Sequence, residues 1–401
     1  MTAPKCGPGE FVLGFGNSID YELRVDAKTL NGLIEHWGIS ASELSTEPET
    51  CGERALVASI LAFMREGRGG ERWLTDAAGT IEALSARFER RVTLGGNAVR
   101  AAIAMRKLGF CSTVHLVCMN DRMKSLLPEG CEFICSAVRE GACPHLIIQY
   151  DAGLHVAAGD IDFVTDRSNR IIYVDDVYNS RLLISEKMLD AVSEARLLMV
   201  SGLNGIKDPE DLEERLTLVR SIIAAMPSGA AVFYEDTSLR SSPYHARIMK
   251  GLDGLVTIHS LNEDEMQEYL GCEVELLDPV AMAQALRRLR GILSAGIIVV
   301  HTRHYALAMG EGAESFRRAL RSGADTAGTR YRLGDDYCAE DVEQTAAMSL
   351  SAEGSELAKR LPGLMDVELC CEPSRDIRTE KATTIGLGDA FAGGFLPYIP
   401  R

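Results

Sequence analysis

The sequence predicts an α/β fold: a doubly wound, mostly parallel sheet with a smaller, discontinuous, β-containing lid. Three observations predict it. Short apolar runs recur along the chain and end in small or polar residues: FVLGFG from Phe11, STVHLVCM from Ser112, ARLLMVSG from Ala195, AAVFYE from Ala230, LVTIHS from Leu255 and GIIVVHT from Gly296. Amphipathic stretches with helical spacing separate several of them, such as DPEDLEERLTLVRSIIAAM from Asp208 and DPVAMAQALRRLRGIL from Asp278. Two regions break this alternation.

Near-continuous apolar strands separated by helices indicate a parallel sheet covered on both faces. Ligands of such sheets bind beyond the carboxyl ends of the strands. The first interruption, about 21–91, reads as helices and loops around REGRGGERW. The second, about 144–177, reads as short strands, HLIIQYDAG, LHVAAG and NRIIYVDD, with turns marked by Asp, Gly and Asn. Both are assigned to the lid. The expected large domain then comprises residues 1–18, 92–143 and 178–401, and the lid residues 19–91 and 144–177.

At 401 residues with 46% apolar content, the chain is long enough for a sizeable core with an attached smaller part. A net charge of −16 argues against nucleic acid or an anionic membrane surface as the main partner. It leaves phosphate ligands open, because local Arg residues and helix N-termini hold phosphate on acidic proteins. The opening MTAPKCGPGE shows no secretory pattern, and no apolar run reaches membrane-span length. The 11 cysteines are scattered without a CxxC pair. A cytoplasmic location with reduced thiols is expected. The oligomeric state stays open.

Three motifs carry chemistry. In TTIGLGDAFAGGF, residues 383–395, Gly386 and Gly388 flank Leu387, and Asp389 begins a small-residue helix. Glycines and a helix N-terminus suit an anion, and Asp389 on the same turn is placed to accept a hydroxyl proton. The bland alternative is a Gly-rich helix start capped by Asp. In TLGGNAVRAAIAMRKLGF, Gly95 and Gly96 precede Asn97, whose amide both donates to and accepts from hydroxyls. A tight turn with an Asn cap is the alternative. FGNSID places Asn17 and Asp20 after the first strand, where a grip on hydroxyls and a capping role compete.

The N-x-x-D, the GGNA and the GxGD near the end together resemble the ribokinase-like sugar kinases. SLNEDEMQEYLG from Ser260, SGLNGI from Ser201, NRIIYVDD from Asn169 and VVHTRHYAL from Val299 further resemble the ADP-dependent glucokinase and phosphofructokinase family, as does the short tail after the GxGD. The resemblance implies a transfer of the β-phosphoryl group of ADP to a hexose or hexose phosphate, with fructose 6-phosphate the first choice and glucose the second. It implies Asp389 as base and the amides of Gly386, Leu387 and Gly388 as anion hole. Arg170 would reach from the lid to the phosphates. Asn17, Asp20, Glu71, Gly95, Gly96 and Asn97 would face the sugar. His301 and Asn262 would border the nucleotide with Gly388, and Glu265 and Glu235 would order Mg2+, mostly through water.

Two departures stand out. The family's His-x-Glu reads Phe233-Tyr234-Glu235 here. Gly70, before Glu71, stands where glucose-preferring relatives tend to carry an acid, yet QYDAG around Asp151 lacks a base for a sugar phosphate. Two rivals remain in the sequence: an ATP-dependent sugar or nucleoside kinase, and a binding protein without turnover. His301 and His304 lack the further ligands a zinc site needs.

Overall fold

The computed structural model describes residues 5–46, 49–75, 77–137, 140–141, 144–174, 176–236, 243–379 and 383–401. The apolar runs become the strands of a nine-stranded sheet. Its spatial order is Leu369–Pro373, Tyr305–Met309, Ile297–His301, Ile258–Asn262, Ala231–Glu235, Leu197–Val200, Phe11–Leu13, Thr113–Leu116 and Glu132–Cys135. The seven strands from Ile297–His301 to Glu132–Cys135 are parallel, and Tyr305–Met309 runs against both of its neighbours. Ile297–His301, Tyr305–Met309, Leu197–Val200 and Phe11–Leu13 are buried at every residue, the signature of strands covered on both faces.

The predicted helices begin where their caps stand. Asp208 accepts from the amides of Glu210 and Asp211 ahead of Pro209–Ala224, and Asp278 from those of Val280 and Ala281 ahead of Pro279–Ile292. In both, a proline at the first helical position supplies the φ a helix start needs.

A second, six-stranded sheet has the order Glu49–Cys51, Gly70–Thr75, Asn169–Val174, Pro144–Tyr150, Ser18–Arg24 and Arg90–Gly95, with a separate hairpin of His155–Ala158 and Ile161–Val164. Residues 21–91 therefore hold more strand than their sequence suggests. Ser18–Arg24 buries Ile19, Tyr21 and Leu23 on one face, and Gly70–Thr75 was read as loop because Glu71 and Arg72 dominate it. The strand Arg90–Gly95 runs across the expected boundary at 91/92 and pairs along its length with Ser18–Arg24. Asp20 thus lies inside a strand of the second sheet and not at the end of the first strand.

Candidate active site

The GxGD segment forms the first turn of helix Leu387–Phe395, with Gly386 as N-cap at φ 63°. A left-handed φ favours glycine, and a Cβ here would also lie 2.8 Å from Arg100 Nη1. Leu387, Gly388 and Asp389 are the first three helical residues, and no side chain caps them. Their amides are thus available to an anion at the positive end of the helix. The Asp389 carboxylate makes no hydrogen bond among the described residues. Burial raises its pKa, while Arg100 and Arg330 beside it pull in the opposite direction.

Arg100 comes from helix Asn97–Lys107, which packs against the GxGD helix. Its Nη2 lies 2.6 Å from Asp20 and 3.3 Å from Glu22. Burial disfavours its charge, but Asp20, Asp389 and Glu22 outweigh this and raise its pKa. Asp20 also accepts from Ser18 Oγ at 2.6 Å and lies 3.6 Å from His145 Nδ1. His145 Nε2 is 3.1 Å from Asp176. Burial works against its charge, but Asp176, Asp20 and Glu71 outweigh this and raise its pKa. Glu71 is exposed on Gly70–Thr75, which Asn169–Val174 separates from the strand of His145. A Cβ on Gly95 would meet Ser18 Oγ at 2.1 Å and Asp20 Oδ at 2.4 Å, so the Asp20 carboxylate lies directly on the Gly95 backbone.

On this side the structure turns one expected sugar contact inward and removes the capping alternative for another. Asn17, expected to grip sugar, is 2% exposed and turned inward. Its Oδ1 accepts from the amides of Val117 and Cys118, and its Nδ2 donates to the Cys118 carbonyl. It ties the exit of the first strand to the neighbouring strand end. Asn97 is not the cap of its helix. Gly96 occupies that position at φ 95°, and Asn97, as first helical residue, makes no side-chain hydrogen bond among the described residues.

The opposite side of the turn is acidic. A Cβ on Gly388 would lie 3.5 Å from His301 Cε1 and 3.6 Å from Glu235 Oε1. Glu235 is 4% exposed, and its Oε2 has no hydrogen-bond partner among the described residues. Burial, with Asp389 and Asp236 nearby, drives its pKa well up. Glu265 is likewise buried and pushed up to about 8 by burial, with Glu235 and Asp236 adding and the Asn262 amide opposing. Asn262 and Glu265 form a reciprocal cap on helix Glu263–Leu270: Asn262 Oδ1 accepts from the amides of Asp264 and Glu265, and Glu265 Oε2 accepts from the Asn262 amide. Asn262, expected to border the nucleotide, is thus committed to this cap and holds Glu265 in place. His301 lies under the turn, stacked on Phe391 at 4.4 Å, with Nε2 3.7 Å from Glu235. Phe233 is core, packed 5.8 Å from Phe395.

Arg170, on the second sheet, reaches across to the segment before Gly386. Its Nη1 donates to Thr384 O at 3.4 Å and Thr384 Oγ1 at 3.3 Å. Sequence reasoning missed Arg100, Arg330, His145 and Asp176. Arg100 had a signal: it is the one charge among VRAAIA in a helix whose neighbouring residues are buried, and a buried charge needs a partner. His145 gave none, because its meaning depends on Asp20 opposite it in the sheet register.

Mostly parallel α/β layers, a glycine turn with an unpaired Asp at a helix start, and a second sheet facing it are an arrangement suited to phosphoryl transfer. A phosphofructokinase from Pyrococcus horikoshii OT3, solved with AMP, superposes at a TM-score of 0.77 with 18% identity, covering 99% of this chain and 98% of that one. An ADP-dependent kinase in complex with fructose-6-phosphate and ADPbetaS superposes at 0.69 with 15% identity, covering 96% and 93%. In sequence, the chain is 23% identical to an ADP-dependent glucose/glucosamine kinase of Pyrococcus furiosus, over 96% of this chain and 94% of that protein. Residues 10–397 match the ADP-specific phosphofructokinase/glucokinase conserved region. The chain belongs to that family and is an ADP-dependent sugar kinase. No helix among the described residues is long and apolar enough to cross a membrane.

Proposed function

We propose that the chain transfers the β-phosphoryl group of ADP to a hydroxyl of a hexose and releases AMP, with Asp389 accepting the hydroxyl proton. One observation carries this reading: the Asp389 carboxylate accepts no hydrogen bond among the described residues, on a turn whose amides no side chain caps, and it shares Arg100 with Asp20 of the second sheet. The amides of Leu387 and Gly388 stabilise charge on the transferring group. Arg170 adds a cation from the second sheet, which acts as a lid and excludes water on closing.

Asp20, Glu71 and Asp176 surround His145 on the acceptor side, and the Arg100 guanidinium there is already engaged by Asp20 and Glu22. Carboxylates pair well with sugar hydroxyls or an amino group and repel a second phosphate. We therefore place glucose or an amino-hexose ahead of fructose 6-phosphate, reversing the order the sequence suggests. Arg24 does not alter this, because it is paired with Asp151 at 2.7 Å.

Glu235 and Glu265 suit a divalent cation. A buried carboxylate oxygen without a partner among the described residues, and a second buried carboxyl whose proton affinity Glu235 raises, are what a cation would relieve. Bound Mg2+ would neutralise phosphate charge, held by these two residues and largely by water. The test is initial rate with ADP or ATP against glucose, glucosamine and fructose 6-phosphate, with products identified. AMP and a hexose phosphate from ADP and glucose support the reading. Turnover with fructose 6-phosphate alone overturns the acceptor, and turnover with ATP alone overturns the donor.

A further inference from the structure

A cavity of about 210 Å³ borders the catalytic turn at Gly386 and Ala390 and extends from it between the strand Arg90–Gly95, the helix Asn97–Lys107 and the end of helix Arg317–Leu333. Its wall carries four cations, Arg91, Arg100, Lys107 and Arg330, and one carboxylate, Asp335. Arg100 is engaged with Asp20 and Glu22 on the acceptor side. Arg91 pairs with Asp336 at 2.8 Å, a residue whose side chain is largely in solvent. Arg330 pairs with Asp335 and donates from Nε to the Ile385 carbonyl at 2.7 Å, but its Nη2 is buried without a hydrogen-bond partner among the described residues. Among the described residues, Lys107 Nζ finds no carboxylate within ion-pair distance. It donates to the carbonyls of Asp335 and Tyr337 at 2.6 and 2.7 Å and lies 4.3 Å over the Tyr337 ring.

Two partly buried cations without a full complement of anions, in one cavity, are an arrangement an anion would complete. At about 30 Å³ per water the space is worth roughly seven waters, enough for a phosphate and a short organic part. Guanidinium forks and an ammonium together match phosphate oxygens. We propose that this cavity binds a small phosphate-bearing anion, apart from the transfer site, through Lys107, Arg91 and Arg330. Arg330 grips the carbonyl of Ile385, the residue before Gly386, so an anion that draws on Arg330 is felt at the catalytic turn. The inference holds for either acceptor sugar.

The test is calorimetric titration of the full chain with inorganic phosphate and, separately, methyl phosphate, at constant ionic strength. The transfer site is kept filled with AMP and the hexose phosphate product, so that the position of the transferred phosphoryl group is occupied. One saturable site per chain is expected, weakened roughly tenfold or more in Lys107→Met, the loss of one charged hydrogen bond, while AMP affinity is unchanged. Binding of phosphate alone marks a free-phosphate site, and comparable binding of methyl phosphate a monoester site. Arg91→Ala, at a half-exposed position, gives the same loss if Lys107→Met does not fold. No binding of either probe with the transfer site filled, or equal binding by both variants and the parent, overturns the proposal.

Discussion

A carboxylate takes a hydroxyl proton only when it is ionised and not already engaged. Asp20 is held by Arg100 and Ser18, Glu22 by Thr93 and Arg100, and Asp176 by Asn179 and His145. Asp389 has no such partner among the described residues. Asp389→Asn is therefore expected to lower kcat by about 10²–10⁴, the usual worth of a general base, with ADP affinity within a few-fold by calorimetry. A near-parental rate would remove Asp389 from the role. Its pH dependence has a definite sign. Burial raises the Asp389 pKa, so the acid limb of kcat/KM should lie above the ordinary carboxylate range, with activity lost as pH falls through it. Arg100 opposes the rise, so Arg100→Gln, which keeps a donor for Asp20 but no charge, should move the limb to higher pH. A limb that stays in place would assign it to another group. The sequence names Asp389 as a candidate through its glycines, but it does not separate Asn17 from Asp20. Both are polar residues in one short segment, and only tertiary contacts turn one inward and leave the other at the cleft.

The elements that carry these residues are joined by a second polar cluster beneath the acidic side. Asp236, directly after Glu235, accepts from Tyr269 Oη at 2.5 Å and lies 2.9 Å from His259 Nε2. Tyr269 Oη is also 2.8 Å from His245 Nε2. Burial works against the Asp236 charge, but hydrogen bonds from His245, His259 and Tyr269 hold its pKa far below the usual range. The cluster ties the end of strand Ala231–Glu235 to strand Ile258–Asn262 and to helix Glu263–Leu270, and so fixes Glu235 against Glu265. Asp236→Asn should raise the Mg2+ concentration for half-maximal rate roughly tenfold, as expected when a partner behind a metal ligand is lost, with Tyr269→Phe milder. A Mg2+ titration of initial rate checks it, and unchanged half-saturation in both variants would limit the cluster to folding. The parallel strands and capped helices were legible from apolar runs and from Asp-Pro starts. The second sheet was legible only in part. Ile19, Tyr21, Leu23 and Val25 do alternate with Asp20, Glu22 and Arg24, a period-two signal. GERWLT gives no such signal, because most of its residues on both faces are polar or exposed.

At the scale of the molecule, the cleft lies between two sheets built from interleaved chain segments. Side chains meet across it at several places, Arg100 with Asp20 and Glu22 among them. Arg91 reaches Asp335 and Asp336 at one end, and Arg170 reaches Thr384 at the phosphate end. Arg170 is a strand residue, so it moves with the sheet that carries Asp20, His145 and Glu71 and arrives at the turn only when that sheet is close. Its pKa is lowered chiefly by desolvation, with Asp264 opposing and Arg100 adding a little, and an added phosphate would relieve it. Arg170→Ala should thus act twice. It removes one cation from the transferring group, which should lower kcat with ADP by about 10²-fold, the lower end of what one such donor contributes. It also weakens the contact that holds the second sheet over the turn, so water competes with the sugar hydroxyl. The ratio of AMP to hexose phosphate, near one for the parent, should rise in the variant. Measuring both products in one reaction separates the effects. A lower kcat at an unchanged ratio would leave Arg170 as a charge alone, and an unchanged kcat and ratio would show that the contact with Thr384 has no part in turnover.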